Sequence, residues 1–446
     1  MRKLTCTLLI IAILLSSGLL FIGGVHASAQ VGGTIASDTT WTQANSPYQL
    51  TGQVTVPYNV TLTFEPGVTV NFGNYYIQVS GTLQARGTSD SNLFFFSNVS
   101  SYSYNQRIEF LSGSTAWNEQ NSTGCIIENA AFNNVTLTIS SSPKINSNSF
   151  LTSQYVFTSI NVNSGSPQIS NNIINCQNTG ISVGGGSPVI SSNTLLGNGR
   201  STGISSSGNS IIQKNLVVNG GYGITVYASS LVQYTVVAGN TFGISGMGGD
   251  IEFNTVAYNS IGLQVSGGSV TLRNNNIYSN SQASIVPFTS SNLDASNNWW
   301  GTTNAGAINQ KILDSKIYNY VGTISFVPFL TQPVPSAPPL PSINLNNPSS
   351  VNLGPTKVPT PPPATPLPPT PTDVPTPTPV PTPSPTPKIM PGSPLSMGGS
   401  SFADVLSRFD ITALAELVLI VLGVVWVIVI LVSIDRNFGK KTSKKQ

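Results

Sequence analysis

The sequence has little charge, a single histidine and few cysteines. Only 7% of its 446 residues are Asp, Glu, Lys or Arg, whereas globular proteins carry about 25%. This low charge argues against a solvated disordered chain and against a nucleic-acid-binding protein, which neutralises phosphates with clustered Lys and Arg. The three cysteines, Cys6, Cys125 and Cys176, are too few for a disulfide scaffold.

The first 29 residues are typical of a secretory signal peptide. Arg2 and Lys3 precede an apolar run over residues 4–22, and the small residues at Ala27 and Ala29 predict cleavage before Gln30. The run is longer than an ordinary signal core, so an uncleaved membrane anchor is the alternative. Cleavage would remove His26 and leave no histidine, which excludes Ser-His-Asp triads and His-ligated metal sites.

The end of the sequence predicts a stalk, one membrane span and a cytoplasmic tail. Of 32 prolines, 24 lie within residues 333–394, so we expect residues 331–399 to form a disordered polyproline-II stalk with O-glycosylation sites. Residues 414–434 are apolar and long enough to cross about 30 Å of hydrocarbon. A buried core helix, the alternative, would need a polar face that this segment lacks. The basic tail, residues 435–446, predicts a single-pass type I protein with an extracellular ectodomain.

Residues 125–300 contain a repeat of roughly 21 residues. One residue marks each unit, with apolar residues three before and two after it and a Gly-Ile or Gly-Leu pair further on. Composition rich in Ile, Val, Ser, Thr and Asn predicts three short strands per unit, stacked on the next unit about 4.8 Å away. We expect the marker side chains to form an internal hydrogen-bonded ladder. The markers are Asn129, Asn148, Asn172, Asn193, Asn215, Thr235, Asn254, Asn275 and Asn298.

These columns resemble the repeats of right-handed parallel β-helix proteins, the pectate-lyase-like fold. Two further stretches are similar to prokaryotic cell-surface proteins of this type: residues 41–85 to their opening coils and residues 297–330 to their closing segment. The resemblance implies an all-β, single-stranded parallel β-helix solenoid. We expect N-terminal coils and a cap over residues 30–124, repeats over 125–300, and a C-terminal cap over 301–330.

Local patterns predict how the coils are closed. Residues 304–318 carry Ala305, Ile308 and Ile312 at helical spacing, which predicts a short amphipathic cap. Trp299 and Trp300 either stack on a sugar or, as we favour, close the last coil. Of the three phenylalanines at residues 94–96, two are expected to point inward and one outward.

The acids suggest one weak binding site and no catalytic one. Glycoside hydrolysis needs two carboxylates about 5–10 Å apart, and Asp250 and Glu252 are the only close acid pair in the repeats. Glu252 and Arg273 occupy equivalent outward positions in successive coils, so with Tyr234 and Asp250 nearby they could bind a sugar or a cation. The alternative, which we favour, is an exposed ion pair. We predict no catalytic residue, metal site or cofactor.

The sequence also predicts the state of two cysteines and the candidate sites of N-glycosylation. Cys125 and Cys176 lie near markers two coils apart, about 10 Å along the axis, which exceeds the limit of about 7 Å for a disulfide. We therefore expect two free thiols. Glycosylation sequons occur at Asn59, Asn98, Asn121 and Asn134.

The leading hypothesis for function is a non-catalytic, membrane-anchored surface protein that binds polysaccharide or another envelope polymer. Tyr222, Tyr227 and Tyr258 are candidates for stacking on sugars. The alternative is a polysaccharide lyase or glycoside hydrolase on the same scaffold, which should cluster two or three carboxylates on one outer face. A third hypothesis, a protein that helps mature a metalloenzyme, is disfavoured because no His, Met or Cys cluster is present.

Overall fold

The described residues form a parallel β-helix of about 12 turns. The computed structural model describes residues 28–97, 105–227 and 229–342. The predicted all-β solenoid is confirmed, since the paired strands of the described coils run parallel and join residues one coil apart. Residues 1–27, most of the predicted stalk and the segment 414–434 lie outside the described residues. Within the described part of the chain, no helix is long and apolar enough to span a membrane.

Three parallel sheets, named A, B and C in chain order around each coil, form the walls. Sheet A contains strands Thr39–Trp41, Thr61–Phe64, Thr82–Arg86, Ile126–Glu128, Lys144–Asn146, Gln168–Ser170, Val189–Ser191, Ile211–Gln213 and Leu231–Gln233. Sheet B contains Thr69–Asn71, Leu93–Phe96, Ala130–Asn133, Ser149–Leu151, Ile173–Asn175, Thr194–Leu196, Leu216–Val218, Val236–Ala238, Thr255–Ala257 and Asn276–Tyr278. Sheet C contains Ile77–Val79, Arg107–Phe110, Thr136–Ile139, Thr158–Val162, Thr179–Val183, Thr202–Ser206, Tyr222–Val226 and Ala283–Pro287.

Among the described residues, four further strands complete the walls and two form a separate pair. Ala29–Thr34 and Tyr48–Val56 contribute to sheets B and C, and Phe242–Glu252 and Ile261–Arg273 pass from sheet C into sheet A. The pair Leu293–Asp294 and Ile324–Ser325 lies at the C-terminal end. A 3₁₀ turn occupies Gln43–Asn45.

The interior is built from columns of like side chains. Ile169, Ile190 and Ile212 stack in register in sheet A, as predicted, and each is fully buried. Side chains of a strand alternate between two faces, so the residue on each side of these isoleucines points outward. The column two residues past the markers and the Gly-Ile column are likewise confirmed, in sheets B and C.

The asparagine ladder is confirmed from Asn148 to Asn298. It lies at the corner between sheets A and B, where the residue before each of these markers has φ between 50 and 57°. Asn172 donates from its backbone and side-chain nitrogens to Oδ1 of Asn193, both at 2.9 Å. Thr235 takes one place, accepting from the Asn215 N–H through its hydroxyl at 3.2 Å.

The prediction for the first marker, Asn129, is wrong by one residue. Ile127, not Ile126, pairs with Ile145, so Ala130 occupies the ladder position and its N–H donates to Asn148 Oδ1 at 3.0 Å. Asn129 instead occupies the left-handed corner, with φ of 51°. Asparagine is favoured in that conformation as well, which explains the misassignment.

A second ladder runs along the corner between sheets B and C and was not predicted. Asn240, Asn259 and Asn280 are buried there. Asn240 donates to Oδ1 of Asn259 from its backbone and side chain at 2.9 and 3.1 Å, and Asn259 does the same toward Asn280 at 3.0 and 3.2 Å. Their recurrence after 19 and 21 residues was the available signal.

The front coils are filled by aromatic rings, and here one prediction is reversed. Of the three phenylalanines at residues 94–96, only Phe95 lies in the main interior. Phe94 and Phe96 are on the outer side of sheet B, where they stack at 5.2 Å and bury themselves with Ala131. Burial alone therefore does not reveal which face of the strand is inside.

The C-terminal cap contains a shorter helix than predicted, Ala305–Gln310, because the chain then rejoins the solenoid. Ile312 pairs with Ile285 of sheet C and, with Ile308, is buried in the core as predicted. Ala305 is exposed. Asn304 caps the helix, accepting from the Ala307 N–H at 3.1 Å.

A buried carboxylate fixes the chain that follows the cap helix. Asp314 is fully buried and accepts from the backbone of Ile324 at 3.0 Å and from Lys316. Burial alone would raise its pKa, but the two backbone hydrogen bonds and the Lys316 ammonium together hold the pKa below its usual value. The cap is therefore held by a charged group as well as by apolar packing.

Candidate binding surfaces

The outer face of sheet A carries charged residues joined across coils. Arg86 pairs with Glu128 at 3.2 Å, and Arg273 with Glu252 at 2.8 Å. The predicted adjacency of Glu252 and Arg273 is confirmed. The Arg273 side chain is 56% exposed and that of Glu252 14% exposed, so the arginine faces solvent and largely covers the carboxylate.

Tyr234 and Asp250, the other members of the predicted site, differ in their placement. Asp250 lies on the outer face of sheet A, two residues before Glu252 on the same strand. Tyr234 occupies the corner between sheets A and B, where its ring stacks on that of Phe253 at 5.3 Å. Among the described residues, no group of three or more His, Cys, Asp or Glu side chains could hold a metal ion.

Sheet B has a different outer face. Within the described residues, no strand of this sheet contains a charged side chain. Its outward columns combine aliphatic, amide and hydroxyl groups, and Leu196, Val218, Val236 and Ala238 form an apolar cluster there. Stacking coils have therefore aligned an uncharged strip along one side of the molecule.

Residues 331–341, here called the strap, lie on this strip. Asn276 binds the backbone of Val334 on both sides, accepting from its N–H at 2.7 Å and donating to its carbonyl at 3.2 Å. The Thr255 hydroxyl donates to the Pro338 carbonyl, and Leu340 packs on the apolar cluster. The strap thus runs back over successive coils, although its proline content had assigned it to the stalk.

Two clefts border the strap. One, of about 470 Å³, lies at its far end and includes Lys214 and Tyr234. The other, of about 740 Å³, lies beside the last coils and includes Tyr278 and Trp299. Ligand sites commonly have volumes of about 300–1,000 Å³, so both clefts are large enough to hold one or more sugar rings.

The aromatic residues singled out in the sequence divide between interior and surface. Trp300 is 5% exposed and belongs to the core, as expected for a residue that closes the last coil. Trp299 points the other way and borders the larger cleft. Tyr222, Tyr227 and Tyr258 are 40%, 53% and 50% exposed. Tyr258 contacts Tyr278 edge-on at 6.0 Å.

Both cysteines of the described coils are free, as predicted, and both are buried. Burial raises the pKa of Cys125 to about 11 and that of Cys176 to about 12. A thiol reacts as its thiolate, so both sulfurs are inert at neutral pH.

The glycosylation sequons differ in accessibility. Asn59 and Asn121 are exposed, and Asn121 accepts a hydrogen bond from the Thr123 hydroxyl of its own sequon at 2.7 Å. Asn134 is half-buried and its side chain accepts from the Ser153 N–H at 2.7 Å. Asn98 lies outside the described residues. We therefore expect modification at Asn59 and Asn121 before Asn134.

Comparisons with protein-family models, curated proteins and solved structures found no match to the chain. Function is therefore argued from the surfaces described above. What sequence reasoning missed is the strap face, for which no repeat or motif in residues 331–341 gives a signal.

Proposed function

We propose that the protein is a membrane-anchored, extracellular β-helix protein of the pectate-lyase-like class. It binds polysaccharide or another cell-envelope polymer without cleaving it. The observation that carries this proposal is the uncharged outer face of sheet B, with its strap and two clefts. Such a face offers a long polymer many equivalent contacts at the coil spacing of about 4.8 Å.

The sequence supplies the argument for presentation at the cell surface. An export signal, a proline-rich stalk, an apolar segment at residues 414–434 and a basic tail occur in the order that a type I protein requires. Protease treatment of intact cells tests this topology. Digestion of the β-helix with retention of the tail supports it, and protection of the β-helix contradicts it.

The arrangement of carboxylates favours binding over hydrolysis. Glu109, Glu119, Glu128 and Glu252 each form an ion pair with a neighbouring Lys or Arg. These carboxylates are engaged with basic side chains rather than facing one another across a cleft, which is the arrangement that glycoside hydrolysis needs. Asp250 and Glu252 share one face, so an enzyme is the second candidate.

One experiment separates the two functions. The full-length chain is incubated with soluble and insoluble polysaccharides, and both retention and release of cleaved ends are measured. Retention without cleavage supports the proposal. Cleavage that is lost in Glu252→Gln would establish the enzyme instead, and neither retention nor cleavage would refute both.

A further inference from the structure

The larger cleft beside the strap has two aromatic walls on adjacent outward columns. Trp299 pairs with Asn276 in one column, and Tyr278 lies in the neighbouring column of the same sheet. Both side chains are half-buried. Half-buried Trp and Tyr keep an apolar ring surface and a polar tip accessible at the same time.

The strap forms the opposite wall, and hydrogen bonds hold it there. Pro333, Val334, Pro335, Ala337, Pro339 and Leu340 border the cleft. The side chains of Asn276 and Thr255 form hydrogen bonds with the strap backbone. The wall is therefore in place before any ligand arrives, which lowers the entropic cost of binding.

Gly301 leaves space beside one of the rings. It follows Trp300 in the chain and has φ of 80°. A Cβ at this position would lie 2.7 Å from Cβ of Tyr278. A side chain here would collide with the tyrosine and fill the floor of the cleft, so glycine keeps the cleft open.

The residues around the cleft carry no charge. Those that are not part of the strap are Thr255, Asn276, Tyr278, Ser279, Trp299, Trp300, Gly301 and Thr302. A carboxylate entering the cleft would lose water without gaining a cationic partner, which is costly. A neutral pyranose loses no charge hydration, its C–H face can pack on an aromatic ring, and its hydroxyls can reach Ser279 and Thr302.

We infer that the cleft between Trp299, Tyr278 and the strap is a subsite for a neutral pyranose chain and discriminates against polyuronates. This inference rests on the proposed function, since it names the ligand class and the place where it binds. Burial and then Tyr258 raise the pKa of Tyr278 above its ordinary value of 10.0, so the phenol is protonated at neutral pH, as tyrosine ordinarily is, and is available as a hydrogen-bond donor.

The test measures binding of the full-length chain to cellohexaose, mannohexaose, chitohexaose and hexagalacturonate by calorimetry. At least one neutral hexasaccharide should bind, and hexagalacturonate at least tenfold more weakly. Trp299→Ala should weaken neutral-glycan binding at least tenfold, whereas Trp299→Phe, which keeps a ring, should weaken it less than threefold. Tyr58→Ala, which removes a 72% exposed ring in the front coils, far from the strap, should change nothing.

Circular dichroism of each variant separates loss of binding from loss of fold. If Trp299→Ala does not fold, Leu340→Ala in the opposite wall serves in its place with the same expected weakening. Neutral-glycan binding that survives these substitutions, or hexagalacturonate binding equally well, overturns the inference and leaves the proposed function standing. No binding of any polysaccharide overturns both.

Discussion

Sheets A and B share one interior and differ in what they show to solvent. Their inward columns are both apolar and both adjoin the same asparagine ladder. Outside, sheet A carries Arg86, Glu128, Lys144, Asp250, Glu252 and Arg273, whereas the described strands of sheet B carry no charge and hold the strap. The coil repeat therefore determines which residues fill the interior. The outward residues differ between the sheets and give each sheet its own surface chemistry.

The strap shields part of the uncharged strip from water. An exposed apolar patch of several hundred Å² on a monomer invites association. The strap covers the most apolar part of sheet B, where Leu340 packs on the cluster around Val236. The clefts at its edges stay open, so the same segment protects the strip and shapes a site.

The largest expected effect comes from the ladder shared by both sheets. In the folded chain, Asn193 Oδ1 accepts from the backbone and side-chain nitrogens of Asn172, and Asn193 Nδ2 donates to the Ile169 carbonyl, all at 2.9 Å. Asn193→Ala would remove these three hydrogen bonds. Buried groups left without partners cost about 1–3 kcal/mol each, so we expect a loss of about 3–5 kcal/mol in unfolding free energy. Urea denaturation measures it.

A threonine at the same position is the matched control. Thr235 already stands in the ladder, accepting from Asn215 and donating to the Gln233 carbonyl at 3.0 Å. Asn193→Thr should therefore cost less than half as much as Asn193→Ala. Equal losses from the two variants would show that the ladder hydrogen bonds do not matter.

A charge placed on each face of one coil tests the contrast between the faces. Val236 on sheet B is 5% exposed under the strap, so Val236→Lys should cost about 2–3 kcal/mol and release the strap. Leu231 on sheet A neighbours Asp250 in the next coil, so Leu231→Lys should change stability by about 0.5 kcal/mol or less. Denaturation and thermolysin cleavage near Leu340 report both effects. Similar cleavage in the two variants would refute the docked strap.

The two buried thiols, one beside each sheet, make the stability of the folded chain depend on pH. Cys125 precedes a strand of sheet A and Cys176 follows one of sheet B. Because the folded chain raises both pKa values from 9.0 to about 11 and about 12, the unfolded chain loses these protons first. Their contribution to stability is therefore intact below pH 9.0 and is lost as the pH rises toward 11 and 12.

The measurement is the denaturation midpoint from neutral to alkaline pH, compared with a variant that carries alanine at both positions. The parent should lose more stability than the variant above the unfolded-state pKa. Identical pH profiles would mean that the thiols are not buried. Iodoacetamide should modify neither cysteine in the folded chain at neutral pH.

The smallest effect is expected on the charged face. Glu252→Gln removes one partner of a partly exposed surface ion pair with Arg273 at 2.8 Å, and surface pairs contribute about 0–1 kcal/mol. We expect a change within that range and no change in polysaccharide retention. A loss of retention would move the binding surface from sheet B to sheet A.

The interior was predictable because stacking repeats itself in the sequence. Each coil places a similar residue at the same point, so Ile169, Ile190 and Ile212 reveal the register as a period. The period fails where one residue type suits two positions. Asparagine suits both the left-handed corner, where Asn129 lies, and the ladder. The sequence pattern therefore predicts a register for the first coil that is wrong by one residue.

The strap face could not be predicted, because it depends on contacts between residues far apart in the chain. Val334 and Asn276 are 58 residues apart, and nothing periodic joins them. Proline content correctly excludes a core but does not distinguish a free stalk from a segment docked on a surface. The position of Tyr234 was also not predicted. It lies at the corner between sheets A and B, where it stacks on Phe253, and not in the outward column that contains Glu252 and Arg273.

Hydrogen–deuterium exchange of the full-length chain, with and without the neutral hexasaccharide that binds best, tests the central claim most directly. The account predicts slower exchange at Ser279, Thr302 and the strap amide of Leu340. Exchange around Glu252 and Arg273 should not change. Protection confined to the charged face of sheet A, with the strap unaffected, would contradict it.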